Sequence, residues 1–210
     1  MAEAAPIPYA DAEQRRQAAF LGMSVFLGTE VMLFGGLVAA VFVYRLLHPG
    51  AAAEASQHLK LWIGAANTAI LLTSSYFVAL GVAAAKRGEA AATVRWLVAA
   101  AVLGLAFLVL KGVEYRQDYT EGLMAFIGGP SGLGEGPPRL FIDLYFIATA
   151  LHALHMSLGL VVLATLTGRI ATGRMALPGA SLGVELGGLY WHFVDVVWVF
   201  LFPIFYLVRS

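Results

Sequence analysis

Apolar residues form five long segments along the chain, and short stretches rich in polar residues, glycine and proline separate them. A helix rises about 1.5 Å per residue, so roughly 20 apolar residues cross the ~30 Å hydrocarbon layer of a bilayer. The pattern predicts five transmembrane helices, at residues 18–44, 61–85, 93–118, 140–167 and 187–208. We expect an all-α integral membrane bundle over residues 18–210, preceded by a polar cytoplasmic tail over residues 1–17.

The two longest interruptions, residues 122–139 and 168–185, are rich in glycine and proline. Such sequences do not continue a helix, and irregular backbone does not face lipid, so we expect both to lie outside the bilayer. The third helix changes character near its end, where ionisable residues begin at Lys111 and recur as far as Asp118. This change predicts that the end of the helix is exposed to water.

Lysine and arginine residues near the helix ends predict the orientation, because they accumulate on the cytoplasmic side of a membrane. One set of ends carries Arg15, Arg16, Lys86, Arg87, Arg95, Arg169 and Arg174. The opposite set carries Arg45, Lys60, Lys111, Arg116, Arg139 and Arg209. The small excess in the first set predicts that the N-terminus is inside and the C-terminus outside.

The composition supports a membrane protein and excludes several kinds of chemistry. Of the 210 residues, 60% are hydrophobic and 12% are charged, which is about half the charge of a soluble domain. The formal net charge is zero, so no long-range field attracts nucleic acid, and we expect no nucleic-acid partner. The chain has no cysteine, which excludes disulfides, thiolate metal sites and cysteine nucleophiles.

The fifth predicted helix contains ionisable groups that are costly inside a bilayer. His192 and Asp195 occupy positions i and i+3, and the indoles of Trp191 and Trp198 flank Asp195 on one helix face. A pair between Asp195 and His192 would stabilise both groups, so we predict that this pair forms. Five helices enclose little volume, and we infer that another protein covers some of these polar faces.

Two further helices carry polar groups at membrane depth. For Glu30, near the middle of the first helix, two interpretations remain open. It acts in a proton relay or lipid contact, or it is a protonated or hydrogen-bonded group at a helix–helix contact. In the second helix, Asn67 begins a run of amide and hydroxyl side chains, which commonly join membrane helices. The run continues with Thr68, Thr73, Ser74 and Ser75.

Charged and aromatic residues also occur near the predicted helix ends. Lys111, Glu114 and Tyr115 share one helix face, which predicts an ion pair at the membrane interface with an anchoring tyrosine. Aromatic residues concentrate where a membrane protein meets the headgroup layer. We expect lipid- or interface-facing side chains at Trp62, Trp96, Tyr115, Trp191 and Trp198.

His152 and His155 lie one turn apart on the fourth helix, with Gly159 on the same face. Two imidazoles on one face could bind a metal ion or a haem iron if facing helices supplied further ligands. The candidates for those ligands are His192, Glu30 and Asp195. The glycine favours a different interpretation, close packing of this face against another helix.

Five segments, in this order along the chain, resemble the motifs of one family. They are TEVMLF at residues 29–34, Asn67-Thr68 with its hydroxyl run, KGVEY at 111–115, LHALH at 151–155 followed by Gly159, and YWHFVDVVW at 190–198. Together they resemble subunit III of haem–copper terminal oxidases, the cytochrome c oxidase subunit 3 family, over about residues 20–206. The chain is similar to the short five-helix form. Longer members have two additional helices and a lipid-filled cleft, whose wall another subunit would have to supply here.

The resemblance implies an accessory subunit without a redox centre, metal ligand or catalytic residue. Haems and copper are expected in the catalytic subunit I, beside subunit II, in a bacterial inner membrane. The complex would reduce dioxygen to water with electrons from cytochrome c or quinol and would pump protons. This chain would stabilise subunit I, support proton uptake and bind phospholipid. The candidate site residues, which are intramembrane polar groups or are related to protons or lipid, are Glu30, Asn67, Lys111, Glu114, His152, His155, His192 and Asp195.

Other functions remain open at this point. Within the family, the chain could be subunit III of a quinol oxidase or a related protein attached to a nitric oxide reductase. A stand-alone membrane haem protein would use His152, His155 and His192 as ligands. A transporter would use Glu30 and Asp195 as a relay, but the sequence lacks the paired repeats and broken helices typical of that class.

Overall fold

The structure is a computed structural model that describes residues 12–123 and 137–207, and within these ranges it contains six α-helices and no β-strand. The helices are α1 (Ala12–Leu47), α2 (Pro49–Gln57), α3 (Leu61–Lys86), α4 (Ala90–Thr120), α5 (Pro137–Ala171) and α6 (Ser181–Tyr206). All except α2 are long and apolar enough to cross a membrane. The prediction of an all-α bundle with five membrane-spanning helices is confirmed, while its orientation stays a prediction.

Four helices begin before the starts that the hydropathy pattern indicates, and α4 does so by three residues, at Ala90. Helix α1 begins at Ala12, so residues 12–17 of the expected tail are helical, and residues 1–11 lie outside the described part. Most of these residues are good helix formers, and Gln17 Nε2 donates to Glu13 Oε1 over 3.1 Å. Helix α5 begins at Pro137, where proline fits the first helical position because no N–H is needed there. Helix α6 begins at Ser181, six residues before its predicted start.

The short helix α2 was not predicted. It begins with Pro49 and is rich in alanine, so it has no long apolar stripe to mark it. Its Ala52, Ala55 and Ser56 are nevertheless fully buried. The Ser56 hydroxyl donates to the backbone carbonyl of Phe205 over 2.9 Å, which fixes α2 across the end of α6.

Helices α3 to α6 form the tightly packed part of the bundle. Helix α3 packs on α4 and α6, and α5 packs on α4 and α6. The Trp191 indole of α6 lies between two glycines: a Cβ atom at Gly104 of α4 would be 2.6 Å from its ring, and one at Gly159 of α5 would be 3.0 Å from it. Close packing at Gly159 was expected, and it is confirmed. Without a side chain at these two positions, α4 and α5 can approach α6 closely.

Helix α1 lies on the outside of this unit, against α5 and α6. Of its residues 13–47, the buried ones are Phe34, Val41 and Tyr44. The start of α1, the end of α3 and the start of α6 meet at one end of the bundle, where Arg16 and Lys86 both contact Glu185. We call this the Glu185 end.

Candidate functional site

The largest polar cluster of the described residues lies inside the bundle, around Lys111 of α4. Its Nζ donates to Glu114 Oε2 over 2.8 Å, to the Tyr145 hydroxyl over 2.8 Å and to the Tyr206 hydroxyl over 3.1 Å. These three bonds use all three N–H groups of the ammonium. The Tyr206 hydroxyl donates to Glu114 Oε1 over 2.7 Å, and the two tyrosine hydroxyls are 2.9 Å apart. We call these four residues the Lys111 network.

The Lys111 network is sealed from its surroundings by aromatic rings. The Lys111 and Glu114 side chains are 4% and 1% exposed. The rings of Tyr115, Tyr145, Trp198 and Tyr206 lie 4.8–5.8 Å from the Lys111 Nζ, within the range of cation–π attraction. The predicted ion pair is therefore confirmed. The prediction that this end of the helix is exposed to water is wrong for Lys111, Glu114 and Asp118, which are buried. Tyr206 of α6 bonds both Lys111 and Glu114, and Tyr145 of α5 bonds Lys111.

A second acid–base pair joins α1 to α5. The Nε2 atom of His155 lies 3.0 Å from Glu30 Oε2, and its Nδ1 lies 2.8 Å from the backbone carbonyl of Leu151. A carbonyl only accepts, so Nδ1 carries a hydrogen, and the contact with Glu30 then holds one proton on either Nε2 or the carboxyl. This geometry confirms that Glu30 is hydrogen-bonded at a helix–helix contact. A role in proton relay stays a prediction.

The Glu30–His155 pair lies nearer the edge of the bundle than the Lys111 network. The Glu30 and His155 side chains are 15% and 10% exposed, against 4% and 1% for Lys111 and Glu114. The Phe34 ring stands edge-on to the imidazole, with 5.1 Å between centroids. A group docked against α1 could therefore reach this pair, whereas nothing outside the chain can reach Lys111 without repacking.

His152 lies on α5 between Tyr145 of the Lys111 network and His155, and it is fully buried. Its ring packs against Phe107 and Trp198, with centroids 5.4 and 5.3 Å away. Neither ring nitrogen has a hydrogen-bond partner among the described residues, and the same is true of the amide of Asn67, which is also fully buried. Such atoms are unusual in protein interiors. These contacts place His152 in the aromatic packing between α4, α5 and α6.

The predicted pair between His192 and Asp195 does not form. His192 instead turns toward α3, where its Nδ1 lies 2.6 Å from the Ser75 hydroxyl. Asp195 is 2% exposed, and neither oxygen of its carboxyl has a hydrogen-bond partner among the described residues. The spacing i and i+3 made the pair possible, but a hydroxyl on the neighbouring helix is the better-placed partner of the imidazole.

The hydroxyl run of α3 joins it to its neighbours, as the sequence predicted for small polar residues. The Trp198 and Trp191 indole N–H groups donate to Thr68 and Ser74 hydroxyls over 3.1 and 3.2 Å. The Ser74 hydroxyl donates to the Ala100 carbonyl of α4 over 2.9 Å. The expected hydrogen bonding of Asn67 is not seen within the described residues.

The aromatic residues expected to face lipid or the interface divide into two groups. Trp62 is 86% exposed, as expected, and Trp96 and Tyr115 are partly exposed. Trp191 and Trp198 are fully buried, so the expectation is wrong for them. The two indoles are covered within the chain, whereas cover of some polar faces by another protein stays a prediction.

The three histidines do not converge on one point. His152 packs between rings, His155 bonds Glu30 and a carbonyl, and His192 bonds Ser75. In the part of the chain that the structure describes, no three His, Asp or Glu side chains are arranged to hold a metal ion. Each imidazole has a separate structural environment.

Three partners of the charged groups were missed in the sequence. Tyr145 and Tyr206 complete the Lys111 network. At the Glu185 end, Oε2 of Glu185 forms ion pairs with Arg16 Nη2 over 3.3 Å and with Lys86 Nζ over 3.0 Å. The sequence could have indicated Tyr145 as part of a polar cluster, because it lies on the same face of α5 as the polar residues Thr149 and His152.

Comparison with known proteins gives one consistent answer. The family model described as "Cytochrome c oxidase subunit III" matches residues 10–210. The chain is 31% identical over 189 residues to the "Probable cytochrome c oxidase subunit 3" of Mycobacterium leprae, covering 90% of this chain and 87% of that protein. It is 32% identical over 187 residues to the "Cytochrome c oxidase subunit 3" of Synechocystis sp., covering 89% and 74%. The resemblance drawn from the five motifs is confirmed, and the chain belongs to the cytochrome c oxidase subunit III family.

Proposed function

We propose that this chain is a redox-centre-free accessory subunit of a haem–copper terminal oxidase that reduces dioxygen to water and pumps protons. In this proposal the haems and copper belong to subunit I and subunit II. This chain stabilises subunit I, supports proton uptake and binds phospholipid.

The observation that carries the proposal is how the ionisable side chains are used. The Lys111 network satisfies its ammonium and both carboxylate oxygens from within the chain. Both nitrogens of His155 are occupied, and His192 is held by Ser75. This arrangement supports a structural role for these groups and disfavours a haem protein with His152, His155 and His192 as ligands.

The Glu30–His155 pair is the proposed point of contact with proton chemistry. It holds one proton that can reside on either partner, and it lies at a partly covered edge of the bundle. A pair of this kind can pass a proton to a group docked against α1. Moving the proton between the hydrogen-bonded Nε2 of His155 and Oε2 of Glu30 needs little rearrangement. The Lys111 network lacks this access, and its role is to hold α4, α5 and α6 together.

The similar proteins indicate the electron donor of the complex and the membrane in which this chain lies. Cytochrome c is the proposed electron donor, since the similar proteins are named for cytochrome c oxidase. These relatives are bacterial, which supports the bacterial inner membrane as the location. The N-terminus is proposed to be inside, in agreement with the excess of basic residues at the Glu185 end.

Purification through an affinity tag on this chain tests the proposal. The chain should co-migrate in a fixed ratio with a subunit whose visible spectrum shows haem and whose metal analysis shows copper. Glu89→Gln, which alters only an exposed ion pair, should co-purify equally and serves as the control. A chain that purifies without a haem–copper subunit, or that itself carries stoichiometric haem, would refute it.

A further inference from the structure

We infer that the Glu185 end of the bundle holds a binding site for one anionic phospholipid, between α1, α3 and α6. This inference rests on the lipid-binding part of the proposed function and names a site for it. It does not involve Glu30 or His155, and it does not require the oxidase partner.

The charged part of the site is made by two cations that share one carboxylate. Arg16 Nη2 and Lys86 Nζ lie 3.3 and 3.0 Å from the same oxygen of Glu185. Both cationic side chains are 50% exposed, whereas Glu185 is 8% exposed. Two positive charges therefore face one buried negative charge, and the group as a whole has an excess of one positive charge.

Both cations can bind an anion without leaving Glu185. A guanidinium has five N–H donors and an ammonium has three, and the contacts with Glu185 use one nitrogen of each side chain. The Arg16 guanidinium is also held over the Phe20 ring at 5.5 Å from its centroid. Glu185 and Phe20 thus position the two cations, whose exposed N–H groups can donate to the non-bridging oxygens of a phosphate.

An apolar groove begins directly below these cations. It encloses a cavity of about 250 Å³, and its apolar walls are Phe20 of α1, Ala79 and Val82 of α3, and Leu189 of α6. Lys86 and Glu185 line one end of the cavity and His192 lines the other. The step from Glu185 to His192 is about 10 Å along α6, so the groove runs from the end of the bundle toward the middle of the membrane.

The arrangement fits an anionic phospholipid because its two parts match the two parts of the molecule. The phosphate meets the excess positive charge where the helices end, and one acyl chain enters the apolar groove along the membrane-spanning direction. A small inorganic anion would use only the cations, and a fatty tail without charge would use only the groove. The site needs both, and the test separates them.

Mass spectrometry of the intact full chain, released from micelles after addition of phosphatidylglycerol, tests the inference. The wild-type chain should retain one phosphatidylglycerol and bind phosphatidylcholine more weakly. The double variant Arg16→Gln/Lys86→Gln should lose about thirtyfold in phosphatidylglycerol affinity, because two cations near the headgroup are removed. The matched control is Arg87→Gln, which removes one exposed cation from the same end of the bundle but outside the groove, and it should bind normally.

A second variant tests the groove without changing charge. Ala79→Phe places a large ring in the cavity from an exposed position, so the fold should be retained while phosphatidylglycerol binding falls. Unchanged phosphatidylglycerol retention in Ala79→Phe would overturn the inference, whether or not the double variant folds. Full competition by inorganic phosphate alone would also overturn it, by showing an anion site. Co-purification with the oxidase is read separately, so failure of the lipid site and failure of the oxidase assignment give different results.

Discussion

The Lys111 network and the Glu30–His155 pair are both acid–base contacts inside the membrane bundle, but they differ in how they are enclosed. The first is built on α4, α5 and α6, surrounded by four aromatic rings and almost fully buried. The second joins the well-packed α5 to the outer helix α1 and stays partly exposed. The comparison teaches that acid–base pairs at membrane depth differ in enclosure within one chain; under the proposed function, the interior pair is permanent structure and the edge pair carries a proton that a partner can reach.

Removing Lys111 from the Lys111 network should cause the largest loss of stability. Lys111→Met leaves the Glu114 carboxylate buried without its cation, and breaking a buried pair in this way costs about 3–5 kcal/mol. Denaturant unfolding of the full chain in micelles measures this loss. Lys60→Met removes a lysine from the more exposed pair with Glu121 and should cost less than about 1 kcal/mol. Equal losses in the two variants would show that the Lys111 network is not sealed.

A smaller loss should follow from disturbing the packing that closes the interior. Gly104→Ala puts a methyl group 2.6 Å from the Trp191 ring, and overpacking of this kind costs about 1–3 kcal/mol. Gly36→Ala is the matched control in α1, where among the described residues the added methyl group would meet no atom of another helix within 4 Å. Because alanine is the better helix former, the control should be neutral or more stable by up to about 1 kcal/mol. If both variants lose the same stability, α1 is packed as tightly as α4.

A substitution that keeps the shape of the Glu30–His155 pair should cost little stability. Glu30→Gln preserves a hydrogen-bonding group opposite His155 in a partly exposed position, so we expect a loss below about 1.5 kcal/mol. The same unfolding measurement checks this value. A loss as large as that of Lys111→Met would contradict the distinction between the two regions.

The smallest effect is expected outside the membrane. The hydrogen bond from Arg87 lowers the pKa of Glu89, which adds stability only above the ordinary glutamate pKa and loses it as the pH falls through the lowered value. Both side chains are exposed, so solvent screens the pair. The unfolding curves of Glu89→Gln and wild type should therefore overlap from about pH 7 to about pH 3. A pH-dependent separation would show that the exposed pair contributes more than its surroundings allow.

Hydropathy was sufficient to predict the five membrane-spanning helices, because a bilayer requires about 20 apolar residues in each. It missed α2, whose burial depends on a bond from Ser56 to the distant Phe205 carbonyl. Within the site, the Lys111–Glu114 pair was predictable because the two residues are one turn apart. Their burial was not, since Tyr145 and Tyr206 come from other helices.

The contrast between local spacing and contacts across helices also explains the outcome at Glu30, His155, His192 and Asp195. Glu30 and His155 are 125 positions apart, so the sequence indicated each residue but not their contact. The reverse error occurred at His192 and Asp195, where favourable local spacing suggested a pair and the tertiary contact with Ser75 replaced it. Local spacing predicts which side chains share a face, whereas the partner of a buried polar group depends on the neighbouring helix.

Proton uptake by the assembled oxidase, measured together with retention of this chain, tests the distinction between the two regions most directly. Glu30→Gln should leave the chain in the complex and slow proton uptake, because it removes the carboxyl that shares a proton with His155. Lys111→Met should instead reduce the amount of this chain in the complex. The opposite pattern, in which Glu30→Gln loses the subunit or Lys111→Met is retained with slow uptake, would contradict the account.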